Sequence, residues 1–287
     1  MLKRLLIASV LMAGVTTVVG NPLPLNVKKD ENIVLIGNGL GERMVYFPYF
    51  ETELQLRYAD KNLIVRNISH PGDTPGFRPH PSRETQWAFP GAEAFHPHHQ
   101  IHTGIGHYPY PDEWLTMLEA DTILAFFGYN ESFDGIEHAD RFYFELDAFV
   151  KHTLDQKYNG KSAPRLVLVS PIAYEDLSAT MDLPNGVREN KRIAAYTAAM
   201  KRAARDNKVG FIDLFTPTQA LYDSEKNPQT INGFSLSNEG YANLSTILAD
   251  ALYGQSGSAS FTDEALVYEA VADKNWFWFN DYRMLNG

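Results

Sequence analysis

The sequence predicts an α/β fold of three layers, a mostly parallel five-stranded sheet with helices on both faces. Two observations and one rule lead there. Five short runs, at residues 32–36, 63–65, 122–127, 165–169 and 210–213, are rich in Val, Ile, Leu and Phe with little polar alternation. That pattern marks strands covered on both faces. Helix-length stretches lie at 42–58, 111–119, 140–158, 188–207 and 238–253. Alternation of strand and helix at these lengths gives a parallel sheet, because each crossover must return the chain to the same edge direction.

The first run, Ile33-Val34-Leu35-Ile36, meets Gly37-Asn38-Gly39-Leu40-Gly41, a sharp turn into a helix that Pro48 breaks or kinks. Residues 74–110 follow the second run as an irregular insertion dense in Pro, His and aromatics. In the stretch 188–207, Ile193, Tyr196, Ala199 and Met200 mark one apolar stripe. The tail ends in Trp276, Phe277, Trp278 and Phe279, which reads as a helix closing in an aromatic cluster. Such a cluster packs on its own domain or docks a partner or further domain.

With 287 residues, 44% of them hydrophobic and 21% charged, the simplest organisation is one main domain over 32–254. A Pro-containing leader at 21–31 precedes it and a helical extension at 255–287 follows. The net charge of −10, with no basic run, argues against nucleic acid and against anionic membrane surfaces. Lys3 and Arg4 precede an apolar run at 5–19, and Val18 and Gly20 supply small residues before a cut ahead of Asn21. This pattern predicts a signal peptide over 1–20 and an exported protein, periplasmic or secreted. The run is short and broken for a membrane anchor, so no stable membrane insertion is expected after cleavage. The absence of cysteine excludes disulfides, thiolate metal sites and a lipidated cysteine.

Ligands of parallel sheets sit beyond the carboxyl ends of the strands, so the residues there carry the functional reading. They are Gly37-Asn38-Gly39, then Asn67 to Asp73, then Gly128-Tyr129-Asn130-Glu131. A late loop, Asn232-Gly233-Phe234-Ser235, leads into the last core helix through Gly240-Tyr241. The ordered set resembles the SGNH, or GDSL-type, hydrolase family. In that family the blocks read Gly-Asp-Ser-Leu, a glycine, Gly-x-Asn, and Asp-x-x-His before a Gly-Tyr-like helix segment. Here Gly37-Asn38-Gly39-Leu40 takes the first block, Gly72 the second, Gly128-Tyr129-Asn130 the third and Asn232 to Ser235 the last. The segment Phe126 to Ser132 also resembles exported bacterial SGNH-like modules that accompany further domains. The resemblance implies a flavodoxin-like sheet and an esterase ancestry, with O-acyl groups on carbohydrates as a plausible substrate class.

The departures fall on the chemistry. The positions of nucleophile, base and orienting carboxylate hold Gly39, Ser235 and Asn232. Glycine cannot attack, and a serine hydroxyl cannot serve as a base near neutral pH. What the resemblance retains is an oxyanion site from the Gly39 and Gly72 backbone N–H groups and the Asn130 side chain. The alternative roles are a turn at Gly72 and a helix cap at Asn130. Further ligand-binding candidates are Asn38, Glu42, Arg43, His70, Asp73 and Glu131, where Arg43 could equally pair with a surface carboxylate. The expected ligand is a small-molecule or carbohydrate ester, with no cofactor and no resident metal.

Two other chemistries stay open. A carboxylate such as Glu131 or Asp73 could activate water directly. His98 and His102 have the i, i+4 spacing of a shared metal site, with His80, His96, His99 and His107 nearby. Pro97 and the irregular surroundings favour an exposed polar loop or a lid instead.

Overall fold

The computed structural model describes residues 23–98, 106–255 and 263–283. The expected signal peptide, His99 and His102 lie outside the described residues. Five strands form one sheet: β1 (Asn32–Gly37), β2 (Ile64–Asn67), β3 (Thr122–Phe126), β4 (Arg165–Val169) and β5 (Gly210–Ile212). Their order is β2-β1-β3-β4-β5, and every neighbouring pair is parallel.

The pleat sends alternate side chains to opposite faces. On one side Val34, Ile36, Ile123, Ala125, Leu166 and Leu168 join a buried cluster. It is completed by α3 (Pro111–Met117), α4 (Ala139–Asp155) and α5 (Val187–Asn207) through residues such as Leu115, Leu146 and Met200. On the other side Ile33, Leu35, Leu124, Phe126, Val167 and Val169 join a second cluster. There α2 (Tyr49–Arg57) and α7 (Asn238–Tyr253) supply Phe50, Leu54, Leu244 and Leu248. Two covered faces explain why the strand sequences lack polar alternation.

Between β1 and α2 lie α1 (Gly39–Glu42) and a 3-10 turn (Arg43–Val45), so Pro48 separates two helical pieces. One helix, α6 (Phe215–Ser224), falls where no helical stripe is legible in the sequence. The leader is part of the body: Leu25 is buried and its N–H donates to Leu252 O at 2.7 Å. Glu31, also buried, accepts from Thr122 Oγ1 at 2.6 Å and pairs with Arg165.

Of the two forms expected for the insertion, exposed polar loop or lid, the described part is not an exposed loop. Arg78, His80 and Arg83 are each less than 5% exposed. The Arg78 guanidinium lies over Phe127 and Phe149, and His80 stacks on Tyr108 at 3.5 Å. Planar cations and rings of this kind supply contact area of their own, so the segment packs on α4 with only a short 3-10 turn (Ala92–Phe95) and one isolated bridge, Phe77 to Trp87. Glu145 of α4 holds it down, accepting from Gly76 N–H at 2.8 Å and lying 2.7 Å from His96 Nε2.

The last helix, α8 (Glu264–Trp278), runs along the free edge of β2. Ile64 and Ile68 donate toward β1, to Glu31 O and Leu35 O. Alternation along the strand leaves the backbone of Val65 and Asn67 facing outward. Lys274 Nζ donates to Val65 O at 3.0 Å and Trp278 Nε1 to Asn67 O at 2.8 Å. Within the aromatic cluster Trp278 is buried against Trp114, while Trp276 and Phe277 are exposed.

Candidate functional site

β1 runs into Gly37, whose φ is +123° and whose Cβ, if present, would lie 2.0 Å from Phe126 O. Only glycine fits this close approach to β3. The next N–H, of Asn38, donates to Phe126 O at 2.9 Å and closes the turn. The loop after β2 is tied to the same turn: His70 N–H donates to Gly37 O at 2.8 Å and Asn67 Nδ2 to Gly41 O at 2.6 Å. After β3, Asn130 Nδ2 donates to Pro71 O at 2.7 Å and to Asp73 O at 3.3 Å, fastening the second loop to the third. The late loop is clamped from below by buried Glu175, which accepts from Gln229 N–H, Thr230 N–H and Thr230 Oγ1 at 2.6–2.9 Å.

These loops enclose a cavity of about 290 Å³ beyond the strand ends. Of the predicted residues, Asn38, Gly39, Glu42, Arg43, Asn130 and Ser235 line it. Most of the remaining wall is apolar, including Leu40, Phe126, Phe127, Val169, Pro171 and Ile172. Tyr129 and Phe234, stacked with ring centres 5.1 Å apart, and Tyr241 complete it. No histidine lines it among the described residues.

The other predicted residues are elsewhere. Gly72 is exposed on its turn and does not line the cavity, so its N–H is not brought to the same wall as Gly39. The Asn130 amide is spent on backbone carbonyls rather than aimed at a ligand. Asn232 accepts from Ser235 N–H at 2.8 Å and Phe234 N–H at 3.3 Å, which shapes its own turn. Asp73 is buried with a carboxylate oxygen 3.9 Å from Arg78 Nε, and His70 lies edge-on to His80. Glu131 lines a second cavity of about 300 Å³, between the insertion and α4, which meets the first at Asn130.

Electrostatics sort the carboxyl groups. Burial pushes the Glu131 carboxyl up to about 8, against the lowering pull of its backbone hydrogen bonds, including the one from Gly128 N–H. The protonated form therefore predominates at neutral pH, which weakens this group as a base there. Glu42 is the carboxyl group in the wall of the first cavity. Asn38 Nδ2 and Arg43 Nε, on two residues of that wall, lack acceptors, but both atoms are fully buried and neither is open to the cavity. The Arg43 guanidinium also lies over the Phe47 ring at 5.3 Å. Among the described residues no three of His, Cys, Asp and Glu come together to hold a metal ion.

Sequence reasoning missed Ser170, Pro171 and Ile172 after β4, although the strand-end rule applies there too and reaches them. It also missed Glu175, whose role depends on a loop about fifty residues downstream and leaves no local signal.

No family model and no curated protein sequence matches the chain. Solved structures do. A gut microbial diltiazem-metabolizing enzyme superposes with a TM-score of 0.57 at 15% identity, over 80% of this chain and 48% of that one. The chain thus spans about half the length of that enzyme. A protein described as a GDSL-like lipase from Parabacteroides merdae gives 0.56 at 14%, over 80% of this chain and 99% of that one. An acetylxylan esterase from Geobacillus stearothermophilus, in a catalytic mutant, gives 0.55 at 12%, over 82% and 99%. These likenesses show an SGNH, or GDSL-type, hydrolase fold.

Proposed function

We propose that the chain is an exported protein of esterase ancestry that binds an O-acyl ester, with acylated carbohydrate the expected class, without Ser-His hydrolysis. One observation carries this reading: Gly39 and Ser235 line the same strand-end cavity, and neither supplies a nucleophile–base pair. The cavity keeps apolar walls for an acyl group. Loss of nucleophile or base from such a unit costs about 10⁶ in turnover. Among the described residues no helix is long and apolar enough to cross a membrane.

A p-nitrophenyl acetate assay tests it. The wild type is expected to match the uncatalysed rate, and Gly39→Ser with Ser235→His and Asn232→Asp to gain measurable turnover. Wild-type turnover abolished by Glu42→Gln would replace the binding reading with hydrolysis through carboxylate-activated water. Glu42, and not Glu131 or Asp73, is the carboxyl group in the cavity wall for that second reading. Turnover removed by a chelator would point to a metal-bound water.

A further inference from the structure

The run Gly37-Asn38-Gly39-Leu40-Gly41 contains three glycines, and the fold accounts for two. Gly37 has positive φ and sits against Phe126 O. A Cβ on Gly41 would lie 2.9 Å from both Phe126 Cδ2 and Ser69 Oγ. Gly39 is different. It opens α1, and a Cβ there would meet no heavy atom within 4 Å. Its backbone does not need glycine, whose extra freedom in the unfolded chain is a cost alanine would reduce. Nothing in the fold rewards the missing side chain, but it widens the cavity that Gly39 lines.

The cavity is large for the smallest acyl group. An apolar protein cavity of about 150 Å³ binds benzene, and this one holds about 290 Å³. Leu40, Phe126, Phe127, Val169, Pro171 and Ile172 would leave an acetyl group in contact on few sides. The polar side chains of the wall include Asn38, Glu42, Arg43, Asn130, Ser170 and Ser235, with charges of both signs among them.

Resting on the acyl-ligand reading above, we propose that Gly39 is the size-determining residue of the cavity. The ligand it admits carries a bulky apolar acyl group, aryl or medium-chain. Both ester and free acid present such a group, and the reading above takes the ester.

Calorimetric titration with methyl octanoate, methyl 3-phenylpropanoate, methyl acetate and the matching sodium carboxylates tests this. The bulky esters are expected to bind on the order of a hundredfold tighter than methyl acetate, and tighter than their acids. Gly39→Leu should weaken the bulky esters at least about tenfold while the melting temperature stays at the wild-type value. Gly39→Ala, the milder variant, should weaken them less and melt no lower. Equal affinity for acetate and octanoate esters overturns the size inference and leaves the ligand reading intact. So does a folded Gly39→Leu that binds octanoate as well as wild type, or a Gly39→Ala that destabilises the protein. Tighter binding of the acids overturns the ester assignment. Failure of every acyl compound, at every length, overturns the ligand reading itself.

Discussion

At the end of β3 a single carboxyl group makes a pH dependence measurable. Glu131 has an ordinary value of 4.5 and is pushed to about 8, chiefly by burial. In the unfolded chain it loses its proton near its ordinary value, while the folded protein keeps it until about 8. The folded state therefore binds more protons in that window, and stability falls as pH rises through it, levelling above it. Glu131→Gln mimics the protonated acid. It is expected to flatten the urea-denaturation stability between pH 5 and 8 and to be more stable than wild type at pH 9, by a few kcal/mol at most. Site residues were only partly legible at this scale. Gly39 and Ser235 could be placed by motif order, because loops following parallel strands share one side of the sheet. The direction of the Asn130 amide could not, because its acceptors, Pro71 O and Asp73 O, are backbone atoms of a distant loop.

Elements were more legible than residues where burial on two faces dictated composition. The five strands stand within two residues of the runs that announced them. By contrast α6 carries Pro217 in its first turn and has one buried polar residue, Thr218, in place of an apolar stripe. The insertion was illegible for another reason: its order comes from ion pairs and ring stacking, which have no period along the chain. Glu145 is the anchor it takes from α4 through hydrogen bonds. Glu145→Ala removes the acceptor of Gly76 N–H and the partner of His96. Limited proteolysis should then cut within residues 74–98 under conditions that leave the wild type whole, at a cost of about 1–3 kcal/mol in stability. The α2–α8 contact predicts a related loss. Lys274 Nζ lies 2.5 Å from Glu51 Oε2; burial lowers the lysine and raises the glutamate. Lys274→Ala removes the main partner of that carboxyl group, leaving Arg66 and Gln55, and should cost about 2–3 kcal/mol by urea denaturation, whereas Glu51→Gln with Lys274→Met should recover most of it.

For the molecule as a whole, the strand order puts β1 and β3 side by side at the centre of the sheet, with β2 and β4 beyond them. Crossovers leave these two central strands toward opposite edges, which opens the crevice where the cavity forms. The margin at β2 ends differently from an ordinary sheet border. Val65 O and Asn67 O, the atoms another strand would seek, are already held by a lysine and an indole from α8. The helix thus acts as a counterfeit sixth strand at this border: it occupies both outward carbonyls, and a second molecule could pair with β2 only by displacing it. A chain stopped before Glu264 should keep its strand-end cavity yet turn adhesive. Light scattering should show dimers and larger species that grow with concentration, while the full-length protein at equal concentration does not show them.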